Sequence, residues 1–427
     1  MAGLGKTTLA QLVYKDELVK QHFNVVIWVC VSDNFDVKKI LSRILESFNM
    51  PVKETTSATT GNEVTTRKDE VASIMGTLDT HHLETLSEDD CWSVFKQRAF
   101  ANGGPPMTPE FEAIGREVVR KCVGVPLAAK VLGGMMHSKK GKSEWLFIGD
   151  NEFWMLPDDN NGILRALKLS FNHLPLPSLK QCFAYWSIYP KDWIIEKDDL
   201  IQLWMAQGFL QPFERRNQEM EDVVSVTKYD CLILKDGEVN NISAVRHLTL
   251  ISNEKKLPII LEVSAQKLRT LVLSVNHLGN VLKNFKYLRV LSLTISEIQE
   301  LPSSIGKLKH LRYLEVFSTE MKALPDSITK LYNLQTLRLL YCPSLKELPK
   351  DFRKLISLRH LYMDNKKENR KLMPMQIGEL TCRQTLPFFV VGKANGCHIE
   401  ELGCLKKLRG ELKIYHLEHV RNSREAQ

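Results

Sequence analysis

The apolar positions of this chain change period as it is followed from one end to the other. Phe23 to Val31 is a nearly continuous apolar, β-branched run, the pattern of a strand buried on both faces of a parallel sheet. After Ser32-Asp33-Asn34, a helix is predicted from Asp36, since Val37, Ile40, Leu41, Ile44, Leu45 and Phe48 keep helical spacing. Pro51 to Val64 is polar and Thr-rich, followed by Thr65-Thr66-Arg67 and a short helix over Asp69–Met75. Ser87 stands three residues before Asp90 at the head of Cys91–Phe95, the arrangement of a capped helix N-terminus. Ala101 to Pro106 reads as a break. Helices follow around Phe111, Ile114, Val118 and Val119, then over Ala128–Met136 after Gly124-Val125-Pro126-Leu127. Between Ile163 and Gln211 the Leu and aromatic content predicts several short helices in a compact unit.

In the last third the period lengthens. An L-x-x-L-x-L pattern starts at Val245, Leu268, Leu288, Leu311, Leu334 and Leu358, spaced 23, 20, 23, 23 and 24 residues apart. Two further registers keep step with it, Leu301-Pro302, Leu324-Pro325 and Leu348-Pro349 in one, Ser296, Thr319 and Cys342 in the other. No single helix sustains three registers at this spacing. The pattern is that of a leucine-rich-repeat solenoid, each coil adding one short parallel strand and burying its leucines against its neighbours. Arg338, Tyr341, Arg359 and Tyr362 fall between the leucines and are expected to be exposed on the partner-binding face.

Composition narrows the class without changing this picture. A chain of 427 residues, 44% hydrophobic, has material for several packed domains. The net charge of +8 is spread in short runs, which fits a solvated surface, and nucleic acid is not expected as a partner. Nine cysteines without a C-x-x-C pair suggest neither a disulfide framework nor a zinc ribbon and fit a reducing, cytoplasmic setting. No apolar run reaches the ~18 residues of a membrane span.

The candidate chemistry lies at the start. Gly5-Lys6-Thr7 fill the last three fixed places of the phosphate-binding loop G-x-x-x-x-G-K-[ST], in which backbone N–H groups wrap phosphates, the Lys reaches the β/γ-phosphates and the hydroxyl holds Mg²⁺. The first fixed Gly would precede Met1. Leu9, Leu12 and Val13 predict an amphipathic helix packed on a sheet, its N-terminus facing an anion. An acidic residue ending an apolar strand should complete the Mg²⁺ site, and none stands between Met50 and Thr65.

Taken together, Gly3-Leu4-Gly5-Lys6-Thr7-Thr8, Ile27 to Ser32, Thr65-Thr66-Arg67, Gly124-Val125-Pro126-Leu127 and Cys182 through Pro190-Lys191-Asp192 to Ala206 occur in an order that resembles the plant nucleotide-binding leucine-rich-repeat disease-resistance proteins of the coiled-coil class. The resemblance implies a multi-domain fold: an incomplete α/β P-loop nucleotide-binding domain over residues 1–100, a helical subdomain over 101–150, an incomplete winged-helix subdomain over 151–240 and a leucine-rich-repeat α/β solenoid over 241–427. It implies an ADP/ATP-switched immune receptor of the STAND ATPase type, with Gly3, Leu4, Gly5, Lys6, Thr7 and Thr8 on phosphate, Thr7 on Mg²⁺, Arg67 sensing the terminal phosphate and Pro126-Leu127 against adenine. Protein partners, a pathogen effector or a guarded host protein, would be met by the repeats, with self-association as a further expectation. Against the family pattern the chain lacks the first Gly of the loop, the acidic strand and the Met-His-Asp motif, in whose place stands Tyr229 to Asp236. Hydrolysis is therefore expected to be impaired. The alternative is a nucleotide-independent interaction or decoy protein with a vestigial NTPase domain.

Overall fold

The computed structural model describes residues 3–22, 81–155, 163–190, 193–210, 231–235, 245–251, 266–275, 281–294, 299–394 and 396–420. The strand expected over Phe23–Val31, the helix from Asp36, the polar stretch Pro51 to Val64, Thr65 to Arg67, the helix Asp69–Met75, Ser296 and most of the Lys191-Asp192 and Tyr229-Asp230 neighbourhoods lie outside these residues. The chain divides into two compact units, Met1–Pro175 and Leu176–Gln427.

The described part of the first unit is helical. α1 (Lys6–Lys15) and α2 (Glu17–His22) precede α3 (Glu88–Ala99), α4 (Pro109–Arg120), α5 (Pro126–His137), α6 (Lys142–Gly149) and α7 (Ile163–Asn172). Local chemistry sets the starts. The Ser87 hydroxyl accepts the Asp90 N–H at 3.1 Å to cap α3, and Thr108 accepts from Phe111 ahead of Pro109 to begin α4. Trp145 of α6 is fully buried, with the Phe111 ring 4.9 Å and the Phe95 ring 6.0 Å from its own. Phe95, Val118, Leu132, Trp145 and Leu169 belong to one core. The break at Ala101–Pro106 and the boundary at 150 therefore do not separate cores: helices on both sides of each share the same apolar interior.

The second unit contains the solenoid. Seven parallel strands run in chain order: β1 (Cys231–Lys235), β2 (His247–Ile251), β3 (Thr270–Ser274), β4 (Val290–Thr294), β5 (Tyr313–Phe317), β6 (Thr336–Leu340) and β7 (His360–Met363). A separate pair, β8 (Phe388–Val390) and β9 (Lys413–Tyr415), follows. Register is constant: Leu248, Leu271, Leu291, Leu314, Leu337 and Leu361 stand opposite one another through the sheet, and all are fully buried. Thr319 and Cys342, from the third register, are buried side by side, 3.6 Å between Oγ1 and Sγ. β1 pairs with β2 in the same register, so the solenoid takes its first strand from the stretch that stands in place of the expected Met-His-Asp motif, ahead of the boundary placed at 241.

One repeat carries a misfit. In the coils before it, the N–H of Leu311, Leu334 or Leu358 donates to a carbonyl three residues back, and the side chain fills the core. Arg383 repeats that backbone step, its N–H bonding Leu380 at 3.0 Å, and so occupies the place of a core leucine. Its side chain is fully buried, and Nε, Nη1 and Nη2 have no hydrogen-bond partner among the described residues. Burial pushes its guanidinium down to about 9.

Candidate functional site

Gly3 and Gly5 both take positive φ, 79° and 95°, and Gly5 ends the loop as the residue before α1. Such backbone suits glycine, and at Gly3 the space is also closed. A Cβ there would lie 2.6 Å from Ile163 Cδ1, 3.1 Å from Val125 Cγ1 and 3.2 Å from Leu127 Cβ. At Gly5 nothing among the described residues lies within 4 Å of where a Cβ would stand. The Gly3 carbonyl accepts the Leu127 N–H at 3.3 Å, and Leu4 is buried. The loop is thus fastened on one side to the start of α5, where Pro126 is the first helical residue and needs no N–H partner. On the Gly5 side no described residue closes over it.

That geometry brings together most of the residues singled out from the sequence: Gly3 to Thr8 on the loop and first turn of α1, Pro126 and Leu127 on α5. Arg67 lies outside the described residues. In the sequence Val125 stands out only as part of the Gly124–Leu127 motif and Ile163 only as the start of a Leu-rich stretch, because an apolar residue packed on a loop glycine looks like any other core residue. The N-terminal N–H groups of α1 have no earlier helical carbonyl to bond, and its first turn holds no acidic side chain that would oppose an anion. These features fit a phosphate-bearing ligand. For the metal the fit is thinner: Thr7 is exposed at the open side, but among the described residues no cluster of His, Cys, Asp and Glu could hold an ion.

The expectation that Leu9 and Leu12 pack on a sheet is corrected. They are 45% and 64% exposed, and the described residues of this unit include no strand to receive them.

In the second unit the variable face of the solenoid sheet is covered by the unit's own helices, α8 (Pro177–Tyr185) and α9 (Lys197–Gln207). Tyr185, Ile188, Leu203 and Ala206 form an apolar cluster with Val290 and Tyr313. At its edge the Thr270 hydroxyl is shared by Tyr185 Oη at 3.0 Å, His247 Nδ1 at 3.0 Å and Gln207 Nε2, which donates at 2.7 Å. Burial, with Arg269, Arg246 and Arg289 nearby, holds His247 down at about 3, so it is neutral in the folded protein. Further along, Arg338 pairs with Asp199 of α9 and, at 3.1 Å, with Glu315, and lies 4.7 Å over the Tyr362 ring, whose hydroxyl accepts from Gln202 at 2.6 Å. Burial raises the Asp199 carboxyl above its ordinary value even beside this partner. Arg338, expected on an exposed binding face, is accordingly only 9% exposed; Arg359 and Tyr362 are half-buried, and Tyr341 is exposed.

Residues 1–63 match the NB-ARC domain family, 188–227 the disease resistance protein winged helix domain and 237–427 a leucine-rich repeat region. The chain is 41% identical to putative disease resistance protein RGA4 of Solanum bulbocastanum, over 100% of this chain and 49% of that protein. It is 39% identical to disease resistance protein RGA2 of the same species, over 100% and 50%. The chain thus spans about half the length of these curated relatives. The match to RGA4 runs over 488 positions against 427 residues here, so within the matched span the relative has residues that this chain lacks. Among solved structures, the leucine-rich-repeat protein LIC12759 of Leptospira interrogans is 27% identical over 40% of this chain and 37% of that chain, with a TM-score of 0.29.

Proposed function

The chain belongs to the plant NB-ARC leucine-rich-repeat disease-resistance proteins, and from that premise we propose that it binds ADP or ATP at the Gly3–Thr8 loop and couples the nucleotide state to protein recognition in a defence response. The observation that carries this reading is the Gly3–Leu127 contact, because it holds the loop against the segment that would meet the base. Backbone N–H groups of Lys6, Thr7 and Thr8 would bind phosphate oxygens, Lys6 would add its charge, and Pro126 and Leu127 would pack on adenine. Thr7 would hold Mg²⁺, which offsets phosphate charge when bound, and Arg67 would contact the terminal phosphate. Turnover is expected to be slow, because between Met50 and Thr65 no apolar strand ends in an acidic residue that would complete the metal site.

Isothermal titration of the whole chain with ADP tests the proposal. Saturable binding that is lost in Lys6→Ala is the expected result; a folded protein that shows none would overturn it. A second reading, a nucleotide-independent interaction protein, draws support from the exposed leucines of α1. It requires that partner capture be indifferent both to ADP and to Lys6→Ala.

A further inference from the structure

The two rims of the solenoid differ in charge. In each coil the chain turns into its strand through a two-residue turn, at 266–267, 286–287, 309–310, 332–333, 356–357, 381–382 and 406–407. Directly after these turns the backbones of Arg269, Arg289, Arg312, Gln335, Arg359, Gln384 and Arg409 bond one to the next, from 2.7 to 2.8 Å, so the turns are stacked in one row. At a strand spacing of ~4.8 Å the row is about 30 Å long. No Asp or Glu stands at any of these turn positions. Lys286, Lys309 and Lys406 are exposed there with no carboxylate paired to them among the described residues. Tyr287 shares a turn with Lys286, and Tyr332 and Ile356 hold the two turns after that of Lys309, at 55%, 52% and 61% exposure. On the opposite rim, where the chain leaves the strands, both signs are present: Glu320, Glu347 and Asp364 stand close in sequence to Lys322, Lys346 and Lys366.

We infer that the row of turns is a docking edge for an anionic lipid surface. Basic side chains flanking exposed Tyr and Ile in one row match the chemistry of a bilayer interface: the ammonium groups meet lipid phosphates and carboxylates while the rings and the aliphatic tip enter the headgroup layer. A continuous row at turn tips offers several of these side chains to one surface at once. Single-stranded nucleic acid would also be drawn by the charge, but it needs open ring faces for its bases. Here one face of each ring already has a neighbour, Tyr287 with His310 at 5.8 Å and 23°, Tyr332 with the Lys309 ammonium at 5.7 Å, which leaves fewer places for bases to stack. The Tyr edges and the Ile356 side chain remain exposed. The inference does not depend on nucleotide binding, since it concerns the second unit alone.

The test is co-sedimentation of the whole chain with phosphatidylcholine vesicles, with and without phosphatidylserine, at low and high salt. Binding is expected only to the phosphatidylserine vesicles and should weaken with salt. Lys286→Glu with Lys309→Glu should lower it by well over tenfold, at about fivefold for each charge removed. Tyr332→Ala with Ile356→Ala should lower it at low and high salt alike, which a purely ionic contact would not show. Lys322→Glu with Lys346→Glu makes the same charge change on the opposite rim and should bind as the unaltered chain does. Equal binding to both vesicle types, equal loss in both charge variants, or single-stranded RNA bound through Lys286 and Lys309 in a chain that ignores vesicles would each overturn it. Circular dichroism of each variant separates loss of binding from loss of fold.

Discussion

Leu12 and Leu337 are the same side chain at positions that both look apolar in the sequence, yet Leu12 on α1 is 64% exposed and Leu337 in β6 is fully buried. The difference lies in who supplies the covering surface. Each solenoid coil is covered by the next coil, which carries the same pattern about 23 residues on, so periodicity itself guarantees a partner. An amphipathic helix fixes only its own apolar side and depends on a distant segment to cover it. Hydrophobic pattern predicts burial well where the pattern brings its own neighbour.

The widest gap this predicts is between truncations of those two leucines. Leu337→Ala should cost about 2–5 kcal/mol of unfolding free energy, while Leu12→Ala should stay within about 0.5 kcal/mol. Denaturant melts of the two variants beside the unaltered chain measure both. Comparable losses would mean that α1 is covered in solution and would break the comparison.

Arg383 sharpens it from the other direction, because here the periodic scheme supplies a buried place and the side chain does not suit it. Replacing it with the leucine that the register calls for, Arg383→Leu, should raise stability by about 2 kcal/mol or more, seen as a higher denaturation midpoint of the repeats. A lower midpoint would mean that the guanidinium has a partner.

The acid dependence is smaller per step and belongs to the contact between helices and sheet. His247 titrates near 3 when folded and near 6.5 when unfolded, so below pH 6.5 the unfolded chain binds the proton more readily. The stability it contributes is complete above that value and should fall by about 1.4 kcal/mol per pH unit on the way down to 3. His360, held down at about 4, acts in the same direction. Melts between pH 7 and 5 should show the fall, and His247→Asn should make it shallower.

The smallest effect expected is at Asp199. Asp199→Asn keeps the size of the side chain but takes away the charge that faces Arg338, and should cost about 1–2 kcal/mol in the docking of α9. Loss of protection in α9 amides with the strands unchanged would report it.

What could be read from the sequence follows the same division. The leucines of all six quoted repeats are buried, since a period tested across several coils leaves little freedom. The cap at Ser87 is local and equally plain. Gly3 to Thr8 and Pro126-Leu127 could be identified as motifs, but that Gly3 bonds Leu127 is a tertiary fact carried by no local pattern. Arg338 misled for a related reason: the spacing assigns it correctly to the variable face, and nothing in the repeat says that Asp199, on a helix 139 residues earlier, would cover that face. Arg383 sits in Leu-Thr-Cys-Arg-Gln-Thr-Leu, where the period would ask for leucine, and only a count carried one coil further reveals it.

The bonds that fasten α9 to the sheet also bear on the order of assembly. Within the solenoid each contact closes a loop of some 20 residues, so coils can add in sequence at little entropic cost per step. Tyr185 meets Thr270 across 85 positions, Asp199 meets Arg338 across 139 and Gln202 meets Tyr362 across 160. Docking the helices requires the strands to be in place first, because its partners are spread over coils that become neighbours only once stacked. Folding should therefore build the solenoid before the helices settle on it, and on heating or in denaturant the helices should let go before the coils unwind.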